Sequence, residues 1–213
     1  MSQSMEVLSE RQRILAGELL KTGAIKFGAF RLKLHEKQPD APLSPIYVDL
    51  RVLQSYPEAL DTAVAALAEL IQNRLLKFSR YAGIPVAATP LVAVLSHVTR
   101  VPMITPREAK SHGSGETVNG SFTPGETVLV IDDVVSRADS KLEAISVLES
   151  NGLIVRDVAV LVDREQGGAL QLATAGYTLH AVLQLSRMLT YWQDTGAIDG
   201  ATLEHVRRYF AGE

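Results

Sequence analysis

Val128-Leu129-Val130-Ile131-Asp132-Asp133-Val134-Val135, running into Ser136-Arg137-Ala138-Asp139-Ser140, is the stretch that sets the reading of this chain. Four apolar residues, mostly β-branched, end abruptly in two adjacent carboxylates. A short polar turn follows, and then a helix-like run from Lys141 to Ser150. A buried strand that delivers paired acids to its C-terminal edge, just before a helix N-terminus, is where open α/β sheets place ligand sites. Two neighbouring carboxylates repel each other and cost stability unless hydroxyl groups or a cation satisfy them. The plainer alternative is an ordinary strand that ends in solvated acids.

Outward from this stretch, strand-like and helix-like segments alternate. Leu8, Ile14, Leu15, Leu19 and Leu20 recur at helical spacing, which predicts a helix over about 5–22 stopped at Gly23. Phe27 to Leu34 alternates in the strand manner, and Tyr47-Val48-Asp49-Leu50 reads as its partner. Between them, His35 to Pro45 is a polar loop with three prolines. A long apolar-striped helix is expected over about 57–78, then a strand and turn at 81–85, a helix near 91–99 and a strand at 101–104. From Thr105 to Glu126 the chain is polar and glycine-rich. After the acidic strand and its helix come a strand at Val158–Val162, a helix near 169–175, a strand at 178–183 and two short helices from Ser186 onward. Such alternation means a parallel sheet covered on both faces, with right-handed crossovers.

Composition narrows the function classes. A chain of 213 residues with 46% hydrophobic content has enough apolar material for one large core. A net charge of −3 argues against a nucleic-acid surface, though it leaves room for a local anion site. The absence of cysteine excludes disulfides and thiolate metal sites. No apolar run reaches the roughly 18 residues that span a bilayer, and the early Glu6 and Glu10 do not suit a secretory leader. A cytoplasmic protein without membrane or nucleic-acid partners is the expectation.

Four constellations carry candidate chemistry. The acidic pair precedes a turn whose backbone amides, at a helix N-terminus, form a pocket for phosphate. That turn lacks glycine, and Asp139 brings a negative charge that Arg137 offsets in part. Arg107-Glu108-Ala109-Lys110-Ser111-His112-Gly113-Ser114-Gly115 suits a lid closing over an anionic substrate, and equally suits a surface loop with incidental charges. In Asp163-Arg164-Glu165-Gln166-Gly167-Gly168, Arg164 at a strand end can grip a planar carboxylate or pair with its acidic neighbours. Lys33, in an otherwise apolar strand, either reaches solvent or meets a ligand charge. His97, His180 and His205 are too far apart for a recognisable metal pattern, and Tyr191 and Trp192 read as packing for the C-terminal helices.

Together these residues resemble the orotate phosphoribosyltransferases, over nearly the full length. The resemblance rests on Lys26-Phe27-Gly28-Ala29-Phe30-Arg31-Leu32-Lys33, on Ser44-Pro45-Ile46-Tyr47-Val48-Asp49-Leu50-Arg51, and on Gly83-Ile84-Pro85 with Thr89-Pro90-Leu91. It continues through Arg107 to Gly113, Val130 to Val135 and Asp163 to Gly168. The acidic strand alone suggests only the wider phosphoribosyltransferase group; Lys33, Ser-Pro-Ile-Tyr and Asp-Arg-Glu-Gln-Gly-Gly point to the orotate branch. The wording is closer to the orotate domain of the bifunctional UMP synthase than to the common bacterial form.

The resemblance implies an α/β type I phosphoribosyltransferase fold: a central, mostly parallel sheet flanked by helices, with a small N-terminal hood. As one domain over 1–213, this places the hood at about 1–55, the core at about 56–185 and C-terminal helices at about 186–213. It implies transfer of ribose 5-phosphate from phosphoribosyl pyrophosphate to orotate, giving orotidine 5′-phosphate and pyrophosphate in pyrimidine biosynthesis. Substrate-bound Mg2+ is implied, a hard cation held largely through substrate oxygens, as is a homodimer that exchanges its lid. In that scheme Asp132 and Asp133 hold the ribose, and Ser136, Arg137, Ala138, Asp139 and Ser140 hold the 5-phosphate. Lys110 and His112, with Arg107, neutralise the departing pyrophosphate. Lys33 and Arg164 orient orotate, with Tyr47 lining its ring.

Three places depart from the family pattern. Pro106 precedes a single Arg107 where the family places further cations, Ala138 and Asp139 replace a glycine and a hydroxyl residue, and the segment between Leu34 and Ser44 is longer. Losing a charge-assisted phosphate contact costs roughly 1.5–3 kcal/mol. The second reading is accordingly a catalytically weak or inactive phosphoribosyltransferase-like binding protein.

Overall fold

A computed structural model of the chain describes residues 8–36, 38–107 and 117–212. Helix α1 (Glu10–Lys21) starts at a capping box in which Ser9 and Gln12 exchange side-chain and backbone hydrogen bonds. It buries Leu15, Ala16 and Leu19. Strands β1 (Ile25–Phe30) and β2 (Ser44–Val48) pair antiparallel as a two-stranded ribbon. The main sheet contains β3 (Arg80–Gly83), β4 (Met103–Pro106), β5 (Val118–Asn119), β6 (Thr127–Val135), β7 (Ile154–Asp163) and β8 (Thr178–Gln184). Their order is β5-β4-β3-β6-β7-β8, parallel throughout except for β5, which lies antiparallel to β4.

The apolar run in β6 is explained by burial on both faces. Leu129 and Ile131 pack on one side with α2 (Pro57–Asn73), α3 (Ala88–Thr99), α6 (Leu185–Asp194) and α7 (Gly200–Ala211). Val128 and Val130 pack on the other with α4 (Asp139–Ser150) and Leu172 of α5 (Gly168–Thr174). Trp192 of α6 ties the N-terminal elements to this body: its indole N–H donates to the Ala16 carbonyl at 3.1 Å, and its ring meets Phe27 edge-on. Strand order reverses at β3, with β4 on one side and β6 on the other, so the crevice beyond the C-terminal ends of β3 and β6 is the topological switch point.

The structure moves several expected boundaries. Strand β1 ends at Phe30, and Lys33 opens a 3-10 turn over Lys33–Glu36 instead of sitting in a strand. The cause is His35, which is buried; its Nδ1 accepts from the Leu32 amide at 2.8 Å and its Nε2 lies 3.2 Å from the Ala41 carbonyl. Helix α2 stops at Asn73 rather than near residue 78, and Leu75 beyond it adopts a left-handed φ of 52°. Strand β6 runs on to Val135, so the acids lie inside it and not at its edge. The polar stretch after Thr105 contains β5, paired with β4. Among the described residues, no helix is long and apolar enough to cross a membrane.

Candidate active site

The acidic pair sits at the switch point and is nearly out of water, Asp132 at 5% and Asp133 at 9% exposure. Asp132 Oδ1 accepts the Asp133 amide at 2.9 Å, and its Oδ2 forms an ion pair of 2.5 Å with Lys141 Nζ. Lys141, from the first turn of α4, is itself buried and also donates to the Val134 carbonyl at 2.6 Å. Asp133 lines a cleft with Leu50, Arg51, Val86, Pro90 and Leu161. Burial, then the charge of Asp132, push the Asp133 carboxyl up to about 7, against the opposing pull of the Val134 amide and Lys141. The repulsion expected from sequence is thus met by an internal cation on one carboxylate and goes with a raised pKa on the other.

The turn after β6 is built against the loop after β7. Ser136 and Arg137 lead into Ala138, which is fully buried, while Arg137, Asp139 and Ser140 are exposed. The Ser136 carbonyl accepts the Gly168 amide at 3.0 Å, and the Val135 carbonyl accepts the Arg164 amide at 2.8 Å. A Cβ on Gly168 would sit 2.5 Å from Val135 Cγ2, so only glycine permits this approach. The Ala138 amide donates to Gln171 Oε1 at 2.8 Å. One of the amides expected to face phosphate is therefore engaged by a side chain of α5.

Arg164 lies across the same junction. Its Nη1 is 3.4 Å from Ser136 Oγ, and its guanidinium carbon is 5.9 Å from the centre of the Phe210 ring in α7. Its Nε and Nη2 are buried and lack hydrogen-bond partners among the described residues. Burial lowers its pKa, the cost of a desolvated cation. The sequence-level alternative, pairing with flanking acids, is not what forms: Asp163 accepts the Glu165 amide, and Glu165 caps α6 through the Ser186 amide and hydroxyl at 2.7 and 2.9 Å.

Strand β2 supplies Tyr47, whose ring lies 5.5 Å from that of Phe30. Arg51, beside the cleft, is held by Asp49 through two hydrogen bonds of 2.6 and 2.8 Å. Arg107 stands where the chain leaves β4; its amide donates to the Thr117 carbonyl at 2.8 Å, and its buried Nε has no hydrogen-bond partner among the described residues. Lys110 and His112 lie outside the described residues. His180 is paired with Asp157 at 2.8 Å. Sequence reasoning missed Lys141, Gln171 and Arg51 as site residues. The one signal for Lys141 was a cation in the first turn of a helix, where the dipole disfavours it.

Among the described residues no three His, Asp or Glu side chains converge on a point. The donor set at the switch point is two carboxylates, one already neutralised by Lys141. Such a set fits a divalent ion that arrives on substrate oxygens.

A parallel sheet carrying a buried acidic pair and a helix-entering turn at its switch point defines the type I phosphoribosyltransferase fold. Comparison with known proteins narrows this. The chain is 37% identical over 187 residues to uridine 5′-monophosphate synthase of Bos taurus, covering 87% of this chain and 38% of the relative. It is 35% identical over 175 residues to the orotate phosphoribosyltransferase of Thermoplasma volcanium, covering 82% of this chain and 99% of the relative. The solved UMP synthase of Leishmania donovani superposes with a TM-score of 0.82 at 35% identity, covering 95% of this chain and 42% of that one. No protein-family model matches. The chain belongs to the orotate phosphoribosyltransferase family, and it spans about two-fifths of the length of the UMP synthases it matches.

Proposed function

We propose that the chain transfers ribose 5-phosphate from phosphoribosyl pyrophosphate to orotate. The observation that carries this reading is Arg164, whose buried Nε and Nη2 have no hydrogen-bond partner among the described residues and whose Nη1 touches the turn that follows the acidic strand. A desolvated cation of that kind is costly until an anion pairs with it. A planar carboxylate on a heterocycle takes two such N–H donors at once.

In this scheme the ring nitrogen of orotate gives its electron pair to the anomeric carbon, the carbon–oxygen bond to pyrophosphate breaks with its electrons leaving on pyrophosphate, and the proton of the ring nitrogen is released to the departing pyrophosphate or solvent. The anomeric carbon passes through a cationic, oxocarbenium-like state, so the protein contributes position and charge. Asp133 in the cleft accepts hydrogen bonds from the ribose hydroxyls, with Asp132 behind it. Ser136 to Ser140 receive the 5-phosphate, with Arg137 as the cation that offsets Asp139. Tyr47 and Lys33 complete the orotate side, while Arg107, Lys110 and His112 attend the pyrophosphate. Substrate-bound Mg2+ supplies charge neutralisation on the pyrophosphate. A homodimer sharing its 107–115 loops, located in the cytoplasm and acting in pyrimidine biosynthesis, belongs to the same proposal.

The test is loss of orotate absorbance on mixing purified protein with both substrates and Mg2+. Turnover dependent on the donor is expected. No turnover, together with no calorimetric heat on adding phosphoribosyl pyrophosphate, overturns the proposal in favour of a phosphoribosyltransferase-like binding protein, a reading that no relative favours.

A further inference from the structure

Lysine is seldom buried without a partner, and a cation in the first turn of a helix opposes the helix dipole. Lys141 does both, at 5% exposure and three residues into α4. What holds it there is Asp132 Oδ2 at 2.5 Å and the Val134 carbonyl at 2.6 Å, both belonging to the acidic end of β6. Both side chains of the ion pair are shielded, at 6% and 8% exposure, so solvent screens it little. The ammonium thus reaches the acids from within the protein, on the α4 side.

From this geometry we propose that Lys141 is a positioning residue, a built-in counter-ion that fixes and neutralises Asp132 and leaves Asp133 as the carboxylate offered to the sugar. This deepens the phosphoribosyl-transfer reading and rests on it. Three consequences follow from the arrangement. Asp132 has its Oδ1 on the Asp133 amide and its Oδ2 on Lys141, so its orientation is determined by the protein. The charge of the pair is reduced before any ligand arrives, which lessens its demand for a divalent ion. Among the described residues the charged groups that face Asp133 are Asp132 on its own strand, Lys141 from α4 and Arg51 from the 3-10 turn Leu50–Ser55, so Lys141 is one of two described cations acting on it.

The experiment follows the Asp133 carboxyl carbon by NMR through a pH titration of the ligand-free protein, alongside calorimetric binding of phosphoribosyl pyrophosphate across the same pH range. Lys141→Met removes the nearby cation, so the Asp133 midpoint should move up by about one unit, and donor affinity near pH 7 should fall about fivefold. Lys141→Arg, which keeps the charge, should recover part of both. Should Lys141→Met fold too poorly to measure, Lys141→Met/Asp132→Asn removes both charges together. Its Asp133 midpoint should then lie above that of Asp132→Asn alone, which keeps the lysine and so its pull on Asp133. A folded Lys141→Met protein with an unmoved midpoint, or a double variant whose midpoint matches that of Asp132→Asn, overturns the positioning role. Failure of the parent to bind the donor at any pH instead overturns the phosphoribosyl-transfer reading, and the ligand-free titration reports on Lys141 regardless.

Discussion

The amide of Ala138 donates to Oε1 of Gln171 across 2.8 Å, joining the turn at the start of α4 to a helix 33 residues further along. A phosphate arriving at that turn must compete with this bond or do without the amide. Gln171→Ala should free the donor, and one net hydrogen bond of about 1 kcal/mol corresponds to roughly fivefold tighter binding of ribose 5-phosphate. Calorimetry on the two proteins checks this. Unchanged or weaker binding would show that the turn does not receive the phosphate through this amide.

Arg164→Lys should be far from conservative. Lysine keeps the charge but lacks the planar fork that meets a carboxylate at two points. Loss of one charge-assisted hydrogen bond, about 1.5–3 kcal/mol, corresponds to a rise in the KM for orotate of roughly ten- to a hundredfold. The KM for the ribosyl donor should move much less. Steady-state kinetics with each substrate varied in turn separates the two.

Gly168→Ala should destabilise the protein by about 1–3 kcal/mol, the usual cost of forcing a methyl group into a packed site. The added carbon would meet Val135 Cγ2 at 2.5 Å and the Ser136 carbonyl oxygen at 3.0 Å. Thermal unfolding measures the loss. Gly167→Ala next door meets no neighbouring atom, but its φ of 94° strains any side chain, so it serves as a control for backbone strain without steric contact.

Asp133 gives the protein a pH signature. Folded, its carboxyl titrates at about 7 because burial and Asp132 raise it; unfolded, it titrates near 4. The folded state therefore holds the proton more tightly. The stability this confers is fully present below about pH 4 and is lost as pH rises through about 7. Asp133→Asn, neutral at every pH, should melt a few degrees above the parent at pH 8, with the difference narrowing toward pH 4. Donor binding by the parent, which needs the ionised carboxylate, should weaken as pH falls below about 7.

Much of this architecture is legible in the sequence because strands buried on both faces read as unbroken apolar runs, as Val128 to Ile131 do. The acids at 132 and 133 announce the site because nothing in their own segment could satisfy them. Their partner was hidden. Lys141 sits in an amphipathic run where a lysine reads as a solvated helix residue, and only the inward turn of α4 shows otherwise. Gln171 was equally hidden, since its contact with Ala138 depends on how the β7–α5 connection folds back. Alternation past Phe30 places Lys33 in a strand, whereas the ring of His35 pulls the chain into a turn. Local periodicity reports burial well, and it is silent on bonds between side chains distant in sequence.

The short segment from Asp163 to Gly168 braces three things at once. Arg164 and Gly168 hydrogen-bond the main chain of the β6 turn, the Arg164 side chain reaches Ser136 and Phe210, and Glu165 clasps the start of α6. Under the proposed phosphoribosyl transfer, grip on the sugar and choice of the base are therefore mechanically linked. Substitutions that retune one should disturb the other, and paired changes across the junction should behave as a unit instead of adding.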